Sequence, residues 1–148
     1  MTKTDVVNAI KKQLNDQLQN LQVSIDAVTE SIKGEEKSSA GDKYETARAM
    51  NHSELDRLNS SYQKVLKSRS VVSRVTTAEN FATAQLGALV KTSKRVLFFC
   101  AAIGKVHVDG QDVLTMSMGS PIGQVFMGKR VGDEIIFNNT KEIIEEIK

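Results

Sequence analysis

Five carboxylates gather around one polar break in the first half of this 148-residue chain: Glu30, Glu35, Glu36, Asp42 and Glu45. Acidic side chains on a protruding turn could hold a divalent metal at another protein's active site. The same residues also have a plainer use. Asp42 and Glu45 have capping-box spacing and could simply start a helix. Lys33, Lys37 and Lys43 are interleaved with them and offset their charge, as on a solvated surface. Other chemical motifs are weaker. Gly123-Gln-Val-Phe-Met-Gly128-Lys129 has phosphate-loop spacing, but it lacks the Ser or Thr that binds magnesium, and its interior is apolar. His52 and His107 have no neighbouring ligand set. Cys100 lies in the run VLFFCAA, where a buried thiol acts as a small hydrophobe. Asn138-Asn139-Thr140 matches a glycosylation sequon that a cytosolic chain would not use. No Ser/His/Asp arrangement stands out. No catalytic residue, metal ligand or cofactor of the chain's own is therefore expected.

Composition narrows the partners. Hydrophobic residues make up 40% and charged residues 26%, which is globular composition rather than disorder. The net charge of +2 is low for a strong nucleic-acid binder. The longest apolar run, Val96–Ile103, is far short of the roughly 20 residues a membrane span needs. The start MTKTDVVNAIKKQ has no apolar signal core, and one cysteine precludes an internal disulfide framework. A cytoplasmic protein with no membrane partner is expected. Two histidines and one cysteine are a poor inventory for structural zinc.

The elements that must carry the acidic break come from the placement of glycine and proline. Residues 1–33 and 42–86 contain neither, which favours long helices. Ile10, Leu14, Leu18, Leu21, Ile25, Val28 and Ile32 recur at steps of three and four, close to a heptad seam. Leu55, Leu58, Tyr62, Val65 and Val72 continue the pattern less cleanly, with Arg69 at the missing step; Tyr44, Ala47 and Met50 extend it towards the start. The polar segment 33–42 between them predicts an antiparallel hairpin over residues 1–75 with its tip at 33–42. Each arm of roughly 30 residues would reach about 45 Å. From about residue 84 the pattern changes, with recurring glycines and clustered β-branched and aromatic residues. Segments 86–90, 95–102, 113–117, 134–137 and 142–147 read as strands, and Asp109-Gly110 as a turn between strands. Periodicity alone lets KEIIEEIK be a helix equally well. Ser120-Pro121 opens a short helix over 122–127. Residues 76–83 form the connector, and 76–148 a second, small α+β domain.

Two segments carry a family resemblance. MSMGSPIGQVFMGKRVGDEIIF, residues 116–137, resembles the C-terminal segment of the bacterial Gre transcript-cleavage factors (GreA/GreB). The matching residues are Ser120, Pro121, Ile122, Gly128, Lys129, Val131, Gly132, Asp133 and Glu134. AGDKYETARAMN, residues 40–51, resembles the start of that family's second coiled-coil helix, through Tyr44, Ala47 and Arg48. The order, a hairpin and then a small domain, agrees over nearly the whole chain. The resemblance implies an α+β protein with an N-terminal antiparallel coiled-coil hairpin and a small FKBP-like C-terminal domain. It implies RNA polymerase as the partner. The C-terminal domain would dock through Ser120, Pro121 and Ile122 while the coiled coil enters the secondary channel. In cleavage-competent members, tip acids help hold a second Mg2+ at the polymerase active site.

The tip departs from the family. Its cleavage motif has an Asp and, three residues later, a Glu shortly before the Tyr; counting back from Tyr44, these positions fall on Lys37 and Ala40. At about 4 Å a carboxylate and a divalent ion attract by about 8 kcal/mol at an effective dielectric of about 20, and a lysine reverses that sign. The expectation is a secondary-channel regulator, monomeric and not itself an enzyme, whose cleavage stimulation is absent or altered. The alternative is a true cleavage factor using Glu35, Glu36 and Asp42, with a shared Mg2+. A reading from another class is a peptidyl-prolyl isomerase or chaperone with a pocket lined by Phe98, Phe99, Phe126 and Phe137. A third is a coiled-coil dimer joined through Leu14 and Leu18.

Overall fold

The computed structural model describes the backbone of residues 1–36 and 41–148, and the side chains of residues 1–34 and 45–148. Helix α1 spans Lys3–Glu36 and α2 spans Gly41–Ser73. Thr2 caps α1 reciprocally with Asp5. The Asp5 N–H donates to the Thr2 hydroxyl at 3.1 Å, and the Thr2 N–H donates back to the Asp5 carboxylate at 2.8 Å. This is a capping box, and it satisfies two amides that the helix itself leaves free. These bonds from Thr2 hold the Asp5 carboxyl below its ordinary value. The cap is therefore at full strength above the usual carboxylate range and is lost as pH falls through the lowered value. Thr2→Ala is expected to cost about 1 kcal/mol at neutral pH. The measurement is the shift in urea midpoint, and it should shrink at acid pH.

The helices run through the residues that were expected to end them. α1 continues past Gly34 to Glu36, and α2 begins at Gly41, one residue before Asp42. The start of α1 and the end of α2 share one compact unit, Met1–Gln13 with Ser68–Lys148; the break lies in the other, Leu14–Lys67. The two helices therefore form an antiparallel hairpin. Within the second unit the heptad positions Leu14, Leu18, Ile32 and Leu58 are buried. Leu21, Ile25, Val28, Leu55, Tyr62 and Val65 are half-buried along the same seam. Arg69 does not fill its expected step, because its side chain is exposed. A guanidinium keeps its water unless a partner replaces it.

The first unit is built on a six-stranded sheet in the order β3-β4-β2-β1-β6-β5. Its strands are β1 (Leu89–Thr92), β2 (Val96–Phe99), β3 (Lys105–Val108), β4 (Gln111–Met116), β5 (Glu134–Phe137) and β6 (Thr140–Ile147). β2 and β4 are parallel, and the other neighbours are antiparallel. Two hairpins close through two-residue loops with positive φ at both positions: Asp109 and Gly110 at 50° and 76°, Asn138 and Asn139 at 48° and 61°. That geometry matches the strand twist, and Asn, Asp and Gly tolerate it best. Several sequence-based boundaries move. The first strand starts at Leu89 rather than 86, the second shortens to Val96–Phe99, and the 113–117 strand becomes Gln111–Met116. KEIIEEIK is strand and not helix, with Glu142 and Ile144 inward and Ile143 outward.

Helix α3 (Pro121–Phe126) covers one face of the sheet. Ile122 and Phe126 join Val90, Leu97, Phe99, Ile135 and Ile144 in one buried cluster. The Phe99 and Phe126 rings sit 5.5 Å apart at 49°, a tilted pairing that their quadrupoles favour. In the same unit Val6, Val7, Ile10 and Val72 are buried. The Lys3 ammonium donates to the Glu79 carbonyl and lies 4.2 Å from the Phe81 ring centroid. Burial lowers its pKa, and the Glu79 carboxylate acts against that shift. This anchor ties the first turn of α1 to the 76–83 connector.

Candidate functional site

The segment expected to dock is built as a helix start. Ser120 has extended backbone, and its hydroxyl donates to the Ser117 carbonyl at 2.7 Å while accepting from the Gly123 N–H at 3.0 Å. Pro121 takes the first helical position, where its missing N–H costs nothing. The three expected docking residues therefore divide. Pro121 is exposed, Ser120 is half-buried as the cap, and Ile122 is buried in the core cluster.

Backbone bonds also explain the phosphate-loop spacing. Gly123 is pressed against the preceding turn, and a Cβ there would lie 2.1 Å from the Ser117 carbonyl oxygen. Gly128 adopts φ 75° as α3 ends. Its N–H donates to the Ala84 carbonyl at 2.9 Å, the Met127 N–H to Gly123 at 3.0 Å, and the Lys129 N–H to Phe126 at 2.9 Å. The amides that would cradle a phosphate are already spent within the protein. One glycine serves close packing and the other a left-handed helix end.

The tip acids are only partly described. Glu30 pairs with Lys33 at 3.6 Å on an exposed surface, and Glu45 is exposed. Lys37 and Ala40 lie outside the described residues. The side chains of Glu35, Glu36 and Asp42 lie outside them as well, although their backbones belong to α1 and α2. Among the described residues, no three His, Cys, Asp or Glu side chains converge as a metal site.

The remaining chemical candidates, His52 aside, have structural partners or burial. His52 is exposed. His107 Nδ1 lies 2.9 Å from Asp112, and Lys105 lies 3.0 Å from the other oxygen of the same carboxylate. His107 first, then Lys105, hold the Asp112 carboxyl below its ordinary value. Cys100 is buried, and burial pushes its thiol up to about 11, so little thiolate forms at neutral pH. Of the four rings that a proline-isomerase pocket would use, Phe98, Phe99 and Phe126 are fully buried and Phe137 is half-buried. No helix among the described residues is long and apolar enough to cross a membrane.

Two features escaped the sequence reading. One is a buried ion pair in which Arg95 meets Glu142 at 3.1 Å on both carboxylate oxygens. The other is an open cleft at the β1–β2 turn, lined in part by Lys91, Lys94, Arg95 and Lys105. The run Lys91-Thr-Ser-Lys94-Arg95 was the available signal for the cleft: three cations in five residues around a turn. Nothing local signals the ion pair.

No protein-family model matches the chain, and no curated protein matches it significantly. Among solved structures it is similar to the crystal structure of the GreA factor homolog 1 (Gfh1) protein of Thermus thermophilus. Identity is 18%, with 95% of each chain covered and a TM-score of 0.38. A second structure, of the transcription factor Gfh1, is 18% identical over 94% of this chain and 93% of that one, with a TM-score of 0.39.

Proposed function

We propose that this chain is a Gre-like regulator that binds RNA polymerase and inserts its helical hairpin into the secondary channel. The observation that carries this reading is the pairing of a 34-residue and a 33-residue helix into one antiparallel hairpin. At about 1.5 Å per residue each arm reaches about 50 Å, enough to approach a buried centre through a narrow pore. The resemblance in residues 40–51 and 116–137 supports the same reading. Pro121 is its best-placed docking contact, being exposed on a rigidly capped turn. The protein acts in the cytoplasm as a monomer, has no membrane or strong nucleic-acid partner, and performs no reaction itself. Lys37 and Ala40 stand where the family has its cleavage acids. Cleavage stimulation is accordingly absent or altered.

The test is co-purification with core RNA polymerase, followed by transcript cleavage on backtracked complexes with added magnesium. Binding at micromolar concentration is expected, with cleavage no faster than polymerase alone. Failure to bind sinks the reading. Robust cleavage that disappears in a Glu35/Glu36/Asp42→Ala variant would instead establish a true cleavage factor that uses those acids.

A further inference from the structure

The cleft beside the β1–β2 turn has a volume of about 530 Å³ and presents four cations against two carboxylates, Asp112 and Glu145. The cations are not equivalent. Arg95 is held by Glu142, and Lys105 by Asp112. Lys91 and Lys94 are exposed and have no ion-pair partner among the described residues. Thr92 braces the turn between them. Its hydroxyl accepts from the N–H groups of Lys94 and Arg95, at 3.2 and 3.1 Å. Ser93 ties the turn to β6 by accepting from the Ile143 N–H at 3.1 Å and donating its own N–H to the Ile143 carbonyl at 2.9 Å. Two free ammonium groups thus project from a backbone fixed on both sides. Half-buried Leu114 adds apolar surface to the same lining.

We infer that this cleft is a second docking surface, for an acidic segment of the protein partner: spaced carboxylates flanking an apolar side chain. The charges favour such a segment over a nucleic-acid strand. A strand carries a phosphate at every step, so it would set some of them against Glu145 and Asp112. A peptide with one or two carboxylates can meet Lys91 and Lys94 alone and lay its apolar residue on Leu114. Exposed pairs of this kind set association rate and register more than raw affinity, and salt weakens them.

The inference rests on the polymerase reading only for the partner's identity, and the test separates the two. Core polymerase is titrated with the full-length chain, with a Lys91→Glu/Lys94→Glu variant and with a Lys91→Arg/Lys94→Arg variant, at low and high salt. Both positions are exposed, so the fold is expected to survive, with only a small drop in unfolding temperature where Lys91→Glu would set a carboxylate against Glu146 across the ladder; thermal unfolding serves as the folding control. The charge-reversed variant should bind about tenfold more weakly at low salt, and the arginine variant as the original chain does. Equal binding by the reversed variant overturns the inference while leaving the polymerase reading intact. If the original chain ignores polymerase, that reading fails, and the cleft is judged by NMR titration with a short Glu-Leu-Asp peptide and, separately, an RNA dodecamer. Peptide-induced shifts confined to residues 91–95, Lys105 and Leu114 support the inference. Larger shifts there with RNA, or none with either, overturn it.

Discussion

Gly123→Ala is expected to be the most damaging single-methyl change in the chain, costing more than about 3 kcal/mol. The added Cβ would fall 2.1 Å from the Ser117 carbonyl oxygen, and 2.8 and 2.9 Å from the Met118 Cα and carbonyl carbon. All three are backbone atoms, so no rotamer change relieves the clash. Overpacking that side chains can absorb costs about 1–3 kcal/mol, and a forced backbone shift costs more. That shift would also break the bond from the Gly123 N–H to the Ser120 hydroxyl, which starts α3. α3 supplies Ile122 and Phe126 to the core, so the damage spreads to the whole sheet unit. With total stabilities near 5–15 kcal/mol, a large part of the folded margin would go. Gly128→Ala is the control. Apart from its chain neighbours, no atom of the described residues lies within 4 Å of its Cβ, and only the positive φ of 75° is strained, for about 1–2 kcal/mol. Denaturant midpoints for both variants test this. If Gly123→Ala proves no worse than Gly128→Ala, the close-packing account of this glycine is wrong.

Arg95→Ala should cost about 3 kcal/mol by stranding a carboxylate. The Glu142 side chain is 1% exposed, and its cation is 27% exposed. Arg95 Nε donates to Oε1 at 3.1 Å. Nη2 reaches Oε2 at the same distance but off the angle a hydrogen bond needs, so Oε2 has no hydrogen-bond partner among the described residues. Removing one partner of a buried pair leaves an uncompensated charge, typically a loss of 3–5 kcal/mol; the partial exposure of Arg95 admits water and places this pair at the low end. Replacing both, as Arg95→Met/Glu142→Leu, removes the stranded charge and should recover most of the loss. The double variant decides the matter. If it is as unstable as the single one, the pair does not act through charge. Added salt should barely change the wild-type contribution, in contrast to the exposed Lys141–Glu134 pair at 3.1 Å on the β5–β6 hairpin that also carries Glu142.

The candidate site was legible unevenly. Ser120-Pro121 signals a helix start in the sequence, and Pro121 is a capped, exposed one. Ile122 was grouped with it by motif, yet it faces the core, because adjacent residues of a helix point in different directions. The glycine-lysine segment has phosphate-loop spacing, but its apolar interior and missing Ser or Thr already favour a packed helix; the hydrogen bonds of its amides and the crowding around Gly123 supply the physical reason for both glycines. The cleft cations are adjacent in sequence, but Lys105 joins them through the pairing of β3 with β4 and of β4 with β2.

What the sequence determined by itself was whatever is settled within a few residues along the chain. Breaker-free stretches with three- and four-residue apolar steps became α1 and α2. Asp109-Gly110 and Asn138-Asn139 became tight turns, and Ser120-Pro121 became a helix start. Each depends on local dihedral preferences and on bonds spanning at most a turn. Tertiary structure alone decided the parallel pairing of β2 with β4, the strand state of residues 140–147 between β1 and β5, and the Arg95–Glu142 pair across 47 positions. Those outcomes depend on which distant surfaces meet. A strand buried by its neighbours and a helix buried by one face can share the same apolar spacing.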